Sequence, residues 1–256
     1  MCTGETGSED GVSGGAEIRV LDDRLALSEA AAAEFLRIVH SSIQGSGRCT
    51  VALSGGSTPR SFYSLLADQP NVPWDKMFFF FGDERHVPPD DPESNFRMAS
   101  EALFSRAPVP AEHIFRVPAE IPDADTAAQS YEQTLRQFFS LEEEALPRFD
   151  AVLLGLGPDG HTASLFPGTA ALHENERLVT ANWVEKFKTW RITLTYPVIN
   201  NAAEILFLVA GAEKQEALLA VLQGKSDLET YPAQGIRPEN GRLLWMVDQA
   251  AAGPLK

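Results

Sequence analysis

Three short apolar runs each end abruptly in a polar, glycine-rich turn, and this pattern constrains the fold more than any other feature of the chain. Residues 49–53 stop at Ser54-Gly55-Gly56-Ser57, residues 77–81 at Gly82-Asp83-Glu84-Arg85, and residues 151–154 at the loop 155–160. Short runs that are apolar at consecutive positions and bounded by turn residues read as strands buried on both faces. Helical segments lie between and after them. One starts at Ser28, a candidate N-cap, with Leu36, Val39 and Ile43 at helical spacing. Others cover 59–67, with Pro59 in the first helical position, then 94–104, 126–144 and 213–222. Further strands are expected at 191–195, 205–209 and 243–247.

Strands alternating with helices predict an α/β fold: a Rossmann-like, mostly parallel sheet with helices on both faces. One domain is expected over 16–250, with a disordered N-terminal tail at 1–15 and a C-terminal tail at 251–256. Proline-rich stretches near 108–122 and 232–238 read as surface loops.

Charge narrows the partners. The chain of 256 residues carries 36 acidic and 21 basic side chains, a formal net charge of -15. Nucleic acid and an anionic membrane surface are therefore poor partners. A small phosphorylated ligand is not, because a few local cations and backbone N–H groups suffice to bind it. The two cysteines, Cys2 and Cys49, form neither a disulfide framework nor a metal-ligand spacing, and read as reduced thiols. The N-terminus lacks the basic and apolar regions of a signal peptide, and no apolar stretch approaches the ~20 residues that cross a bilayer. The expected location is the cytoplasm. No metal and no cofactor is expected, and since nothing demands a dimer, neither is an oligomer.

In open α/β sheets ligands sit at the carboxyl ends of the strands, so the three polar turns should meet in one cleft. In the first, Gly55 and Gly56 let the backbone approach an anion and Ser57 and Thr58 add hydroxyls; a tight turn with a Ser/Thr cap accounts for it equally well. In the second, Arg85 is suited to grip a phosphate and Asp83 to orient a hydroxyl or a base. Glu84 reads better as part of a solvated loop, and His86 is undecided. In the third, His161 stands beside Gly160, where a substrate can come close, and histidine exchanges protons near neutral pH. Asp159 is placed to fix its tautomer. Arg191, Lys214 and the pair Lys186 and Lys188 are further cations able to reach the cleft, and each reads first as a solvated surface charge. His40, His113 and His173 read as structural or surface groups.

The segments SGGSTP, FFGDERHVPPDDPESNFRMASEALF, LLGLGPDGHTASLFPGT and RITLTYPVIN resemble, in the same order, the 6-phosphogluconolactonase family, and the likeness spans roughly residues 51–222. The resemblance implies a sugar-phosphate isomerase-like fold and hydrolysis of 6-phospho-D-glucono-1,5-lactone, the second step of the oxidative pentose phosphate pathway. It places a general base on His161, and substrate contacts on the Gly55–Thr58 loop and Arg85, with Arg191 and Lys214 beside them. Two alternatives compete. Hexosamine-phosphate deaminases share the GxGxDGH segment but carry a glutamate five residues beyond the histidine, where this chain has Phe166. They also carry Asp-Glu-Tyr where it has Asp83-Glu84-Arg85. A sugar-phosphate sensor of the same fold group would carry a DNA-binding segment, and neither a basic helix-turn-helix nor a suitable charge is present.

Overall fold

The computed structural model describes residues 16–253 and Leu255. The expected tail at 1–15, with Cys2, lies outside the described residues. In chain order the elements are β1 (Glu17–Leu21), α1 (Arg24–Ser46), β2 (Cys49–Leu53), α2 (Ser57–Ala67), β3 (Met77–Phe81), β4 (Asp83–Arg85), α3 (Asn95–Ala99), α4 (Ala124–Phe139), β5 (Ala151–Leu154), β6 (Val179–Val184), β7 (Thr189–Leu194), α5 (Tyr196–Asn200), β8 (Glu204–Val209), α6 (Gln215–Gln223), β9 (Arg242–Asp248) and α7 (Gln249–Ala252).

Six strands form a parallel sheet in the order β1-β9-β8-β5-β2-β3. The expected mostly parallel sheet is thus present, and a second, antiparallel sheet of order β4-β7-β6 stands beside it. The three apolar runs are β2, β3 and β5, and β2 and β5 are buried at every position, as strands covered on both faces must be. From the adjacent pair β2 and β5 the chain leaves in opposite directions, β2 toward β3 and β5 toward β8. That is the switch point of the sheet, and because every strand is parallel, the turns after β2, β3, β5 and β8 share one edge.

Two buried tyrosines fix the ends of these strands. The Tyr63 hydroxyl takes the N–H of Ser54 at 3.0 Å and donates to its carbonyl at 2.9 Å. Tyr131 does the same at Phe81, at 2.8 and 3.0 Å. Both phenols bridge backbone groups where a strand gives way to a site loop, and burial pushes both toward the neutral form.

Several boundaries differ from expectation. α1 begins at Arg24, capped by Asp23, whose carboxylate accepts from the N–H of Ala26 at 2.8 Å. Ser28 lies inside the helix, its hydroxyl donating to the Arg24 carbonyl. α4 stops at Phe139 because Ser140 turns left-handed, at φ 51°, and its N–H returns to Arg136. The acidic run 142–144 would also oppose the negative end of the helix dipole. The segment expected as a C-terminal tail begins within α7, where Ala251 and Ala252 are buried. Cys49 is buried at the start of β2, which pushes its thiol up to about 12 and leaves it inert as a nucleophile near neutral pH. Among the described residues no helix is long and apolar enough to cross a membrane.

Candidate active site

The loop after β5 folds around its histidine. The Gly157 N–H donates to the His161 carbonyl at 2.8 Å and the Gly160 N–H to the Gly157 carbonyl at 3.0 Å, closing a tight ring. Gly160 has φ +77°, and a side chain there would strike Tyr231. A side chain on Gly157 would strike the imidazole of His161 and the carboxylate of Asp159. Gly157 is therefore required by the histidine's position and Gly160 by its left-handed backbone and Tyr231. Their N–H groups are spent inside the loop, so Gly160, expected among the substrate-binding residues, offers no free donor there.

Asp159 Oδ1 bonds His161 Nδ1. An ionised carboxylate only accepts, so Nδ1 is the donor of this bond, and in the neutral imidazole Nε2 is the nitrogen left as acceptor. Burial alone would raise the Asp159 carboxyl, but the His161 bond and then Lys186, whose Nζ donates to Oδ2 at 3.0 Å, outweigh it and hold the group far below the usual carboxylate range. The ring of Phe166 stacks on the imidazole with centroids 4.0 Å apart and planes inclined by 23°. Phe187 meets Phe166 edge-on at 5.8 Å.

The segment expected as a polar loop after β3 is strand β4, which pairs with β7 so that Arg85 lies directly opposite Arg191. Like charges directly opposite on a sheet face are unfavourable. Arg191 is nine-tenths buried, and burial, followed by the charge of Arg85, disfavours its cation. Its Nε has no hydrogen-bond partner. Arg85 is held by its own guanidinium, which donates to the Glu93 carbonyl. Two facing arginines, one of them buried with an unpartnered Nε, are able to grip an anion.

Glu84 corrects the expectation of a solvated charge: it is 2% exposed. Its carboxylate takes the N–H groups of Arg85, Asn95 and Phe96 and the Ser94 hydroxyl, and so anchors the start of α3. Burial raises its carboxyl against those donors. The His86 Nε2 lies 2.7 Å from the Ile121 carbonyl.

Asp83 ties the loops together. Its Oδ2 accepts from the Ser164 hydroxyl at 2.6 Å, and Asn95 Nδ2 donates to its carbonyl at 2.9 Å. The Asn95 Oδ1, buried without a partner, lies where a side chain on Gly55 would be. A continuous set of contacts thus runs from Gly55 through Asn95 and Asp83 to Ser164, three residues past His161. At the first loop, Gly56 precedes α2 with no side-chain cap, which leaves the first N–H groups of an 11-residue helix free beside Ser57 and Thr58. Lys214 lies in the turn after β8, on the same edge, but no hydrogen bond or ion pair joins it to the other site residues among those described. Lys188 pairs with Glu185.

Sequence reasoning missed Asn95, Ser164, Tyr63 and Tyr131. Asn95 and Ser164 lie within the quoted segments, but their contacts to Asp83 do not show in the sequence, and the two tyrosines act only through the backbone at Ser54 and Phe81. A cavity of about 1020 Å³ opens elsewhere, at the amino ends of β1 and β9, and its walls hold none of these groups.

The fold sets an α/β protein with two facing arginines, Arg85 and Arg191, and a histidine bonded to Asp159 on the loop after β5. A family model described as glucosamine-6-phosphate isomerases/6-phosphogluconolactonase matches residues 22–245. A curated 6-phosphogluconolactonase from Nostoc sp. is 44% identical over 93% of this chain and 98% of its own length. The solved structures of 6-phosphogluconolactonase from Trypanosoma cruzi and Trypanosoma brucei superimpose with TM-scores of 0.87 and 0.85, at 32% and 30% identity. They match 97% and 94% of this chain and 100% and 99% of their own. The chain belongs to the glucosamine-6-phosphate isomerase/6-phosphogluconolactonase family.

Proposed function

We propose that this protein hydrolyses 6-phospho-D-glucono-1,5-lactone to 6-phospho-D-gluconate, the second step of the oxidative pentose phosphate pathway. The observation that carries the reading is the facing pair Arg85 and Arg191 together with a histidine whose Nδ1 is held by Asp159. The curated relatives bearing the name 6-phosphogluconolactonase support the same activity.

In this reading Arg85 and Arg191 hold the phosphate, with the open start of α2, the Gly55–Thr58 turn and Lys214 contributing further donors. A lactone is an activated ester, so water attacks C1 directly and no covalent enzyme intermediate forms. His161 Nε2 takes the water proton as the C–O bond forms. The oxyanion is stabilised by a neighbouring cation, because the N–H groups of Gly157 and Gly160 are occupied. The ring C–O bond then breaks, and the imidazolium returns its proton to the leaving oxygen. Asp159 steadies the imidazolium, and Asp83 positions the loops through Ser164 rather than carrying a proton.

The deaminase alternative needs a carboxylate five residues past the histidine. Phe166 stands there, stacked on the imidazole, and supplies no proton relay.

The test is steady-state kinetics on the phospholactone, generated by a glucose-6-phosphate dehydrogenase, and on unphosphorylated gluconolactone. The wild type is expected to accelerate the first well above its spontaneous rate and the second far less. Arg85→Ala should raise KM roughly tenfold or more with a smaller change in kcat, the loss of charge-assisted hydrogen bonds amounting to roughly 1.5–3 kcal/mol. Equal efficiency on both lactones would remove the phosphate cradle from the account.

A further inference from the structure

We propose that Lys186 is a positioning residue of the Asp159–His161 pair: from the turn between β6 and β7 it holds the second carboxylate oxygen of Asp159 and sets how readily the imidazole takes a proton. The inference rests on the reading of His161 as the base and assigns that base a partner 25 residues further along the chain.

An exposed lysine beside an aspartate is ordinarily worth little. Three features set this contact apart. First, Asp159 is only 25% exposed and has both oxygens committed, Oδ1 to the imidazole and Oδ2 to Lys186. The lysine thus acts on the atom group that orients the histidine. Second, the turn offers Lys186 a nearer carboxylate, Glu185, which instead takes Lys188 and the indole N–H of Trp183. Lys186 reaches across to the loop after β5. Third, the next residue, Phe187, packs edge-on against Phe166, which stacks on the imidazole. The turn therefore meets the pair twice, through a charge on the carboxylate and through an aromatic behind the ring. A cleft of about 520 Å³ lined by Asp159, Phe166, Trp183, Glu185 and Lys186 lies alongside.

The charged and titratable groups around the pair are Lys186, Glu185 and Lys188 on the turn, Arg191 over the Phe187 ring with Arg85 opposite it, and Tyr231 against Gly160. Of these, only Lys186 bonds directly to Asp159 among the described residues. Removing its charge leaves the carboxylate less compensated and so favours the protonated imidazole. The sign follows: without Lys186 the base is protonated up to a higher pH, and the acid limb of the kcat profile moves upward.

The experiment compares full-length wild type, Lys186→Met, Lys186→Arg and Lys188→Met by two readouts: kcat against pH between about 5 and 7.5 on the phospholactone, and NMR titration of the His161 imidazole in the ligand-free protein. Lys186→Met is expected to move both the acid limb and the imidazole midpoint up by about 0.2–0.7 pH unit, the range spanned by exposed ion pairs. KM should stay within about twofold, because this lysine touches the base and not the phosphate. Lys186→Arg should restore the wild-type positions, and Lys188→Met should leave them unmoved. Superimposable imidazole titrations for wild type and Lys186→Met would overturn the proposal. A moved titration with an unmoved acid limb would uphold the coupling and instead remove His161 from the role of base.

Discussion

Gly157 states the requirement of the site most sharply. A methyl group there would occupy the space of the His161 ring and the Asp159 carboxylate. Gly157→Ala should therefore displace the base while the buried strand β5 below it stays intact. A shift of about 1 Å at a reacting group can cost on the order of 100-fold, and a kcat loss of that size is expected with the melting temperature within a few degrees of wild type. An unchanged kcat would show that the ring position is not critical. The residues of this loop were legible because glycine, proline and histidine after an apolar run have few structural uses in combination. Asn95 and Ser164 were not, since an isolated Asn or Ser shows its value only when its distant partner, here Asp83, is known.

At the scale of elements, the apolar runs of β2, β3 and β5 were read with their observed limits, and those of β8 and β9 were read one residue short at one end or both. Strands whose polar residues find partners elsewhere were not read as strands. β4 is three charged residues, and looks like a loop until Glu84 is seen capping α3. β1 alternates, with Glu17 and Arg19 in a network that also takes in Glu34 and Arg37 of α1, Glu204 of β8 and Arg242 of β9. These pairs staple four elements at the amino edge of the sheet, opposite the site. Glu34 sits at the centre, 7% exposed. Burial alone would raise its carboxyl, but hydrogen bonds from Arg242, Arg19 and Arg37 bring it from 4.5 down to about 2. A carboxyl lowered in the folded state contributes stability that is complete above about pH 4.5 and is lost as pH falls toward about 2. Glu34→Gln should cost roughly 1–3 kcal/mol in urea unfolding at pH 7, with the difference from wild type closing as pH approaches 2. A difference that persisted undiminished at that pH would place its origin in packing instead of charge.

For the whole molecule, the alternation of strands and helices was enough to predict a mostly parallel sheet whose three polar turns share one edge. It did not foresee the antiparallel sheet of β4, β7 and β6, because β6 and β4 lack apolar runs and β7 is held partly by its neighbours. That sheet sets Arg85 against Arg191 and carries the turn that reaches Asp159. The parallel sheet supplies the histidine and the glycine turn at its switch point, and the smaller sheet supplies the charges. The central claim is that His161, oriented by Asp159, is the base of a lactone hydrolysis at that junction. It is tested most directly by kcat on 6-phospho-D-glucono-1,5-lactone for wild type and His161→Ala, with the fold of the variant verified by circular dichroism. A loss of about 10²–10⁴-fold is expected, the usual worth of a general base, with phosphate-ligand binding retained. Turnover near that of the wild type would contradict it.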